Sequence, residues 1–201
     1  MSEAMEATEL DESALAQLFV SARSVHTYSS RPVSDETLRS LYDLWKLGPT
    51  AFNSQPARIV FVRSPAGKQR LAPALSQFNR DKTLKAPVTA IVAYDTRFYD
   101  HLPAQFPGAD VRSAFAGDPV EAERTAFRNG SLQGAYLMIA ARALGLAVGP
   151  MSGFNADAVN RTFFADGRYR ANFLVNMGYH NGALPRPRGP RLKYEQAVQI
   201  A

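Results

Sequence analysis

Apolar residues recur along this chain with a helical period in some stretches and as unbroken runs in others, and the two patterns divide it into elements. Residues 11–23 place Leu15, Leu18 and Phe19 on one helical face, which predicts an amphipathic helix with that face buried. A second helix is predicted after Ser34, an N-cap residue followed by Asp35 and Glu36, whose carboxylates suit the positive end of the helix dipole. Its stripe is Leu38, Leu41, Tyr42 and Trp45, and Gly48-Pro49 stops it. A loop without apolar rhythm at 50–56 leads into a short strand at 59–62, and Pro65-Ala66-Gly67 leads to another helix. Residues 88–94 are nearly all apolar or β-branched, which predicts a central strand. The stretch 102–119 is rich in Pro, Gly and Phe without period, and reads as a surface loop or a lid over a site. The longest helix is predicted at 120–144, closed by Gly145. Its small middle (Gly134, Ala135, Ala140, Ala141, Ala143) implies close packing at the centre of a domain or dimer. A helix at 156–164 precedes a last strand at 173–177. The order α-α-β-α-β-α-α-β predicts an α+β fold, since the strands are too few and too irregularly spaced for a doubly wound sheet. With no internal repeat or linker, the expectation is one domain over residues 1–201.

Composition narrows the chemistry. The absence of cysteine excludes disulfides, thiolate metal sites and thiol nucleophiles, and suits a reducing cytoplasm. The N-terminal stretch is acidic where a secretory leader would be basic. The most apolar segment, 135–151, is broken by Arg142, two glycines and a proline, so no bilayer span is expected and the chain is placed in the cytoplasm. Lys and Arg number 23 against 18 Asp and Glu, a net charge of +5 that favours an anionic ligand such as a phosphorylated cofactor or nucleic acid. Four of the cations, Arg186, Arg188, Arg191 and Lys193, crowd the run RPRGPRLK, whose ordinary reading is a solvated tail. Neither a dinucleotide fingerprint nor a P-loop is present. His26, His101 and His180 lack metal-ligand spacing, so no metal is expected.

Candidate chemistry falls in the connections. Asn53-Ser54-Gln55-Pro56 offers amide donors and acceptors that suit a planar heterocycle, although such loops are most often plain turns. Asn79 and Lys82, three apart, would share a face on a helical turn, and a cation there would stabilise an anionic reduced ring. Taken alone, Lys82 is a surface charge. Gly149-Pro150-Met151-Ser152-Gly153-Phe154 would let backbone approach a ligand closely, or form a helix-to-helix turn and no more. Arg23, Ser24 and His26, where the first helix ends, offer a phosphate both cation and hydroxyl.

Taken in order, the segments PVSDETLRSLYDLWKLGPTAFNSQPARIVF, LKAPVTAIVAYD, TAFRNGSLQGAYLMIAARALGL and GPMSGF make the chain resemble the nitroreductase family of FMN enzymes over essentially its whole length. Within that family it is similar to the malonic semialdehyde reductases, or 3-hydroxypropanoate dehydrogenases, of bacterial pyrimidine degradation. The resemblance implies a nitroreductase-like α+β fold, a central mostly antiparallel sheet flanked by helices, in an intertwined homodimer with two FMN sites built from both subunits. It implies that Pro49, Thr50, Ala51, Asn53 and Gln55 belong to the loop that reaches the partner's flavin. Asn79 and Lys82 would address the pyrimidine edge of the ring. Pro150, Met151, Ser152 and Gly153 would lie over it, and Arg188 and Arg191 would hold the phosphate with Arg23, Ser24 and His26. Two positions depart from the family's basic-basic-Ser-x-basic run: Ala22 stands at its first basic position and His26 at its last. Phosphate binding there is therefore expected to be weaker, pH-dependent through His26, or taken over by Arg23. Ser152 stands where many members carry an acidic residue, which suits a substrate that is itself a carboxylate.

The implied reaction is a ping-pong cycle in which NAD(P)H gives hydride to flavin N5 and a small aldehyde acid then takes it. The cofactor carries this chemistry, so no protein nucleophile is expected. Arg97, Arg112 and Arg128 are candidates for a substrate carboxylate. The alternatives are a broad nitro- or quinone reductase, a flavin-binding sensor without turnover, and a nucleic-acid-binding protein reading through RPRGPRLK. Against the last, the chain lacks interleaved aromatic and basic stacking motifs.

Overall fold

Every residue of the strand Val88–Asp95 (β2) is buried, and the computed structural model, which describes residues 8–182 and 187–201, shows why. β2 lies inside a four-stranded antiparallel sheet with Ala57–Val62 (β1), Ala147–Met151 (β3) and Tyr169–Gly178 (β4), in the order β1-β2-β4-β3. Val88, Ala90 and Val92 face one core with Val175 and Met177 of β4. Ile91 and Ala93 face another with Leu174. Helices cover both sides, so the strand needs no polar face.

On the first side lie Asp35–Trp45 (α2) and the long helix Pro119–Ala143 (α7). Ser34 caps α2 by accepting from the backbone N–H of Thr37. Leu38, Leu41 and Trp45 join the core as the stripe predicts, but Tyr42 faces outward. The small middle of α7 lets it press on the sheet: a Cβ on Gly134 would stand 2.3 Å from Cζ of Phe173. On the other side lie Pro65–Leu71 (α3), Gln77–Lys85 (α4) and Ala156–Phe163 (α8).

Three expectations are corrected. The first helix runs from Glu12 (Glu12–Leu15, α1, continuing as the π-turn Ala16–Val20) and buries none of its residues; Leu15 and Phe19 are exposed. The stretch 102–119 is no irregular loop. It contains Leu102–Gln105 (α5) and Arg112–Gly117 (α6), and Leu102 and Phe115 close a small core with Phe98, Tyr94, Ala122 and Ala126. Residues 147–151 form an edge strand where a turn is expected, and Pro150 is accommodated because an edge strand has one side free of pairing. After residue 187 the chain is extended apart from one turn, Tyr194–Ala197 (α9), and exposed throughout. Arg186 and the first seven residues lie outside the described residues. Among those described, no helix is long and apolar enough to cross a membrane.

Candidate active site

The sixteen residues singled out from the sequence fall into two groups at opposite edges of the sheet. Eleven line a strip along β3. Ser24 bridges to Val148, and the N–H of Val25 donates to the Val148 carbonyl at 3.2 Å, so the chain after α1 runs beside the edge strand. This packing explains Gly149: a Cβ there would lie 2.6 Å from the carbonyl oxygen of Val25. At one end of the strip Arg23, Ser24, His26, Arg188 and Arg191 line a cavity of about 280 Å³ together with Ala22, Pro187, Gly189 and Arg142. No carboxylate lines it. Loss of hydration at the cavity wall first, then the neighbouring Arg23 and Arg191, lowers the pKa of the otherwise exposed Arg188; burial and Arg188 lower that of Arg142.

These cations are partly engaged with the chain itself. Arg188 donates to the carbonyls of Phe19, Val20 and Ala22 at 2.6 to 3.0 Å, and Arg23 to those of Val20 and Ala22. Both thus cap the carbonyl end of α1 and its π-turn. The buried Nε of Arg23 has no partner. Arg142, which the sequence reading uses only to break an apolar run, donates to the Leu18 carbonyl and belongs to this cluster.

At the other end of the strip, Asn79 is buried on α4 and its Nδ2 donates to the Gly153 carbonyl at 2.8 Å. The backbone of Ser76 donates to the same oxygen, and Phe154 bridges to Leu75. A Cβ on Gly153 would meet Nδ2 of Asn79 at 2.7 Å. Two segments separated by seventy residues in the sequence are therefore locked together. Lys82 follows on α4, half-buried. Met151 turns its side chain inward while Pro150, Ser152 and Gly153 face solvent.

The second group, Pro49, Thr50, Ala51, Asn53 and Gln55, leads into β1 at the far edge of the sheet. It is strained. Phe52, Asn53 and Gln55 have φ of 53°, 50° and 42°, the only non-glycine residues with positive φ among those described. Such conformations cost of order 1 kcal/mol each and persist only where surroundings hold them. Here the N–H of Ala51 donates to Asn129 on α7 at 2.8 Å, that of Gln55 donates to Oγ1 of Thr50 at 3.1 Å, and that of Ala57 donates to Gln133 at 2.9 Å. Asn53 donates to the Gln105 carbonyl at 3.2 Å. Phe52 packs edge-on against Phe106 and Phe115, joining the loop to α5 and α6. Asn129 and Gln133, buried polar residues on a helix, are missed by a pattern reading that sees only its small apolar stripe.

Of the three arginines considered for a carboxylate, Arg97 and Arg112 both pair with Asp100, at 2.9 and 3.5 Å. Arg128 is exposed and pairs with no described carboxylate. No cluster of acidic residues and histidines among the described residues is arranged to hold a metal.

The fold defines the class. A provisionally assigned nitroreductase of Bacillus subtilis superposes with a TM-score of 0.82 at 25% identity, over 95% of this chain and 100% of that one. One from Exiguobacterium sibiricum, solved in complex with FMN, gives 0.81 at 21% identity over 97% and 99%. Relatives from Polynucleobacter asymbioticus and Ralstonia nicotianae, both provisionally described as NADH dehydrogenase/NAD(P)H nitroreductases, are 54% and 53% identical, covering 96% and 95% of this chain and 99% and 98% of their own. The Nitroreductase family model matches residues 20–179, and the chain belongs to the nitroreductase family.

Proposed function

We propose that this chain, as one domain over residues 1–201, binds FMN along the β3 strip and uses NAD(P)H to reduce a small aldehyde acid, malonic semialdehyde, to 3-hydroxypropanoate. One observation carries the cofactor assignment: a cationic cavity without a carboxylate and an amide-lined turn lie at the two ends of one edge strand. The donor set fits a phosphate at the first end, where Arg23 retains an unpartnered buried N–H beside Ser24, His26, Arg188 and Arg191. Lys82 beside Asn79 supplies positive charge toward a ring at the second end. The exposed N–H groups after Met151 are the backbone donors available there. When bound, FMN supplies two-electron transfer, first from NAD(P)H and then to the acceptor. The protein positions the ring and excludes competing reactions.

The residues at the far edge of the sheet serve a second copy. The loop 49–55 is strained, rigidly held and remote from the strip of its own chain, while Leu132 and Tyr136 on α7, Leu15 and Phe19 on the first helix, and Leu192 and Ile200 on the tail leave apolar surface exposed. A homodimer in which each loop completes the partner's site accounts for both.

Arg128 is the available cation for a substrate carboxylate, and Ser152 leaves the turn free of a repelling acid. Broad nitro- or quinone reduction is favoured instead by the description of the relatives. Steady-state kcat/KM for malonic semialdehyde, a nitroaromatic and a quinone separates the two. The aldehyde acid is expected to lead by at least tenfold, with Arg128→Ala losing that lead through KM. Equal values across the panel would establish the broad reductase. Acceptor-independent bleaching without turnover would establish a sensor.

A further inference from the structure

Behind the β3 strip lies a buried polar network that the reaction above does not use. Lys68 of α3 is only 5% exposed. Its Nζ donates to the Thr83 carbonyl on α4 at 2.8 Å and to Oγ1 of Thr89 on β2 at 2.5 Å. Thr89 donates to Oδ1 of Asn176 on β4 at 2.7 Å, Nδ2 of Asn176 donates to Oγ1 of Thr83 at 3.1 Å, and Thr83 donates to Sδ of Met151 at 3.5 Å. Lys68 thus reaches both walls of the ring end: α4, which carries Asn79 and Lys82, and Met151, which opens the turn to Gly153.

The network contains no carboxylate. None of the charged residues on the elements packed around Lys68 (Arg70 on its own helix, Arg80, Asp81, Lys82 and Lys85 on α4, Asp157 and Arg161 on α8, Asp95 on β2, Arg170 on β4) pairs with it, and burial alone depresses its pKa to about 7. Its two acceptors match the two hydrogens of a neutral amine, whereas an ammonium would hold a third N–H without a partner. In such surroundings a charge acts over a longer range than in water.

We propose that Lys68 is a positioning residue whose Nζ takes up a proton from solvent when the neighbouring cofactor is reduced. The proposal rests on the flavin reading. Balance is simple: NAD(P)H delivers two electrons and one hydrogen nucleus, the reduced cofactor carries one more negative charge than the oxidised one, and the second proton binds Lys68 and offsets that charge.

The test is the midpoint potential of the FMN-loaded protein across about pH 6 to 9, measured against reference dyes. Raising pH above about 7, where burial leaves Lys68 neutral before reduction, should steepen the slope from one proton per two electrons to two, a doubling, as reduction then draws a proton to its Nζ. Titration of the flavin itself acts in the opposite sense and makes the slope shallower as pH rises. Lys68→Met should abolish the steepening. A merely structural lysine would lower the melting temperature when replaced and leave the slope alone. A uniform wild-type slope, or the same inflection in the variant, overturns the proposal. The wild-type profile decides alone if the variant does not fold. A protein that takes up no FMN overturns the flavin reading itself, and this inference with it.

Discussion

Asp95 is completely buried and faces Arg58 and Arg168, each at 3.0 Å, with His101 at 3.8 Å. The Asp95 carboxylate raises the pKa of Arg168, chiefly by hydrogen bonding. Asp95→Asn removes the charge that both guanidiniums answer, and since they are partly exposed the loss should approach the lower end of the roughly 3–5 kcal/mol expected for a broken buried pair. Urea unfolding measures it. Arg188→Ala should act on the cofactor instead. Removing this cation should weaken FMN binding by roughly tenfold in a fluorescence titration. Single residues were legible where a motif held them, as with Asn79 and Gly153, whose contact the structure supplies. Lys68 and Tyr28 carry no such mark. A lysine in a helix reads as solvated until a fold buries it, and Tyr28 acquires its raised pKa only by burial beneath β3.

Among the elements, α7 tests packing most simply. Gly134→Ala forces a Cβ into the ring of Phe173, and the overpacking should cost about 1–3 kcal/mol by denaturant unfolding. An unchanged midpoint would mean that the ring, half-buried, swings aside. The long helices and the central strand were legible because their periods run for many residues. α5 and α6, at four and six residues, are too short to show a period, and Gly149-Pro150 disguises β3 as a turn. The first helix is legible in place but not in burial: Leu15, Phe19 and Val20 stay exposed among the described residues. The loop at 49–55 was legible as a segment, but its strain was not, since asparagine, glutamine and phenylalanine do not announce positive φ.

At the scale of the molecule, the buried lysine makes stability depend on pH. Its folded pKa, about 7, lies below the unfolded value of 10.5, so between these the unfolded chain binds more protons and stability rises with pH. The penalty is fully present below pH 7 and is relieved as pH climbs toward 10.5. The urea midpoint of the wild type, taken relative to Lys68→Met, should therefore rise from pH 7 to about 9. A flat difference would contradict the burial of an unpaired amine.

The central claim is that the β3 strip is an FMN site serving an NAD(P)H-driven reductase. It is tested most directly by titrating purified protein with FMN and then adding NADPH or NADH without oxygen. The account predicts saturable uptake of one FMN per chain, followed by loss of the oxidised flavin absorbance on addition of the nucleotide. A protein that remains colourless after incubation with excess FMN, or whose bound flavin keeps its absorbance with both nucleotides, would contradict it.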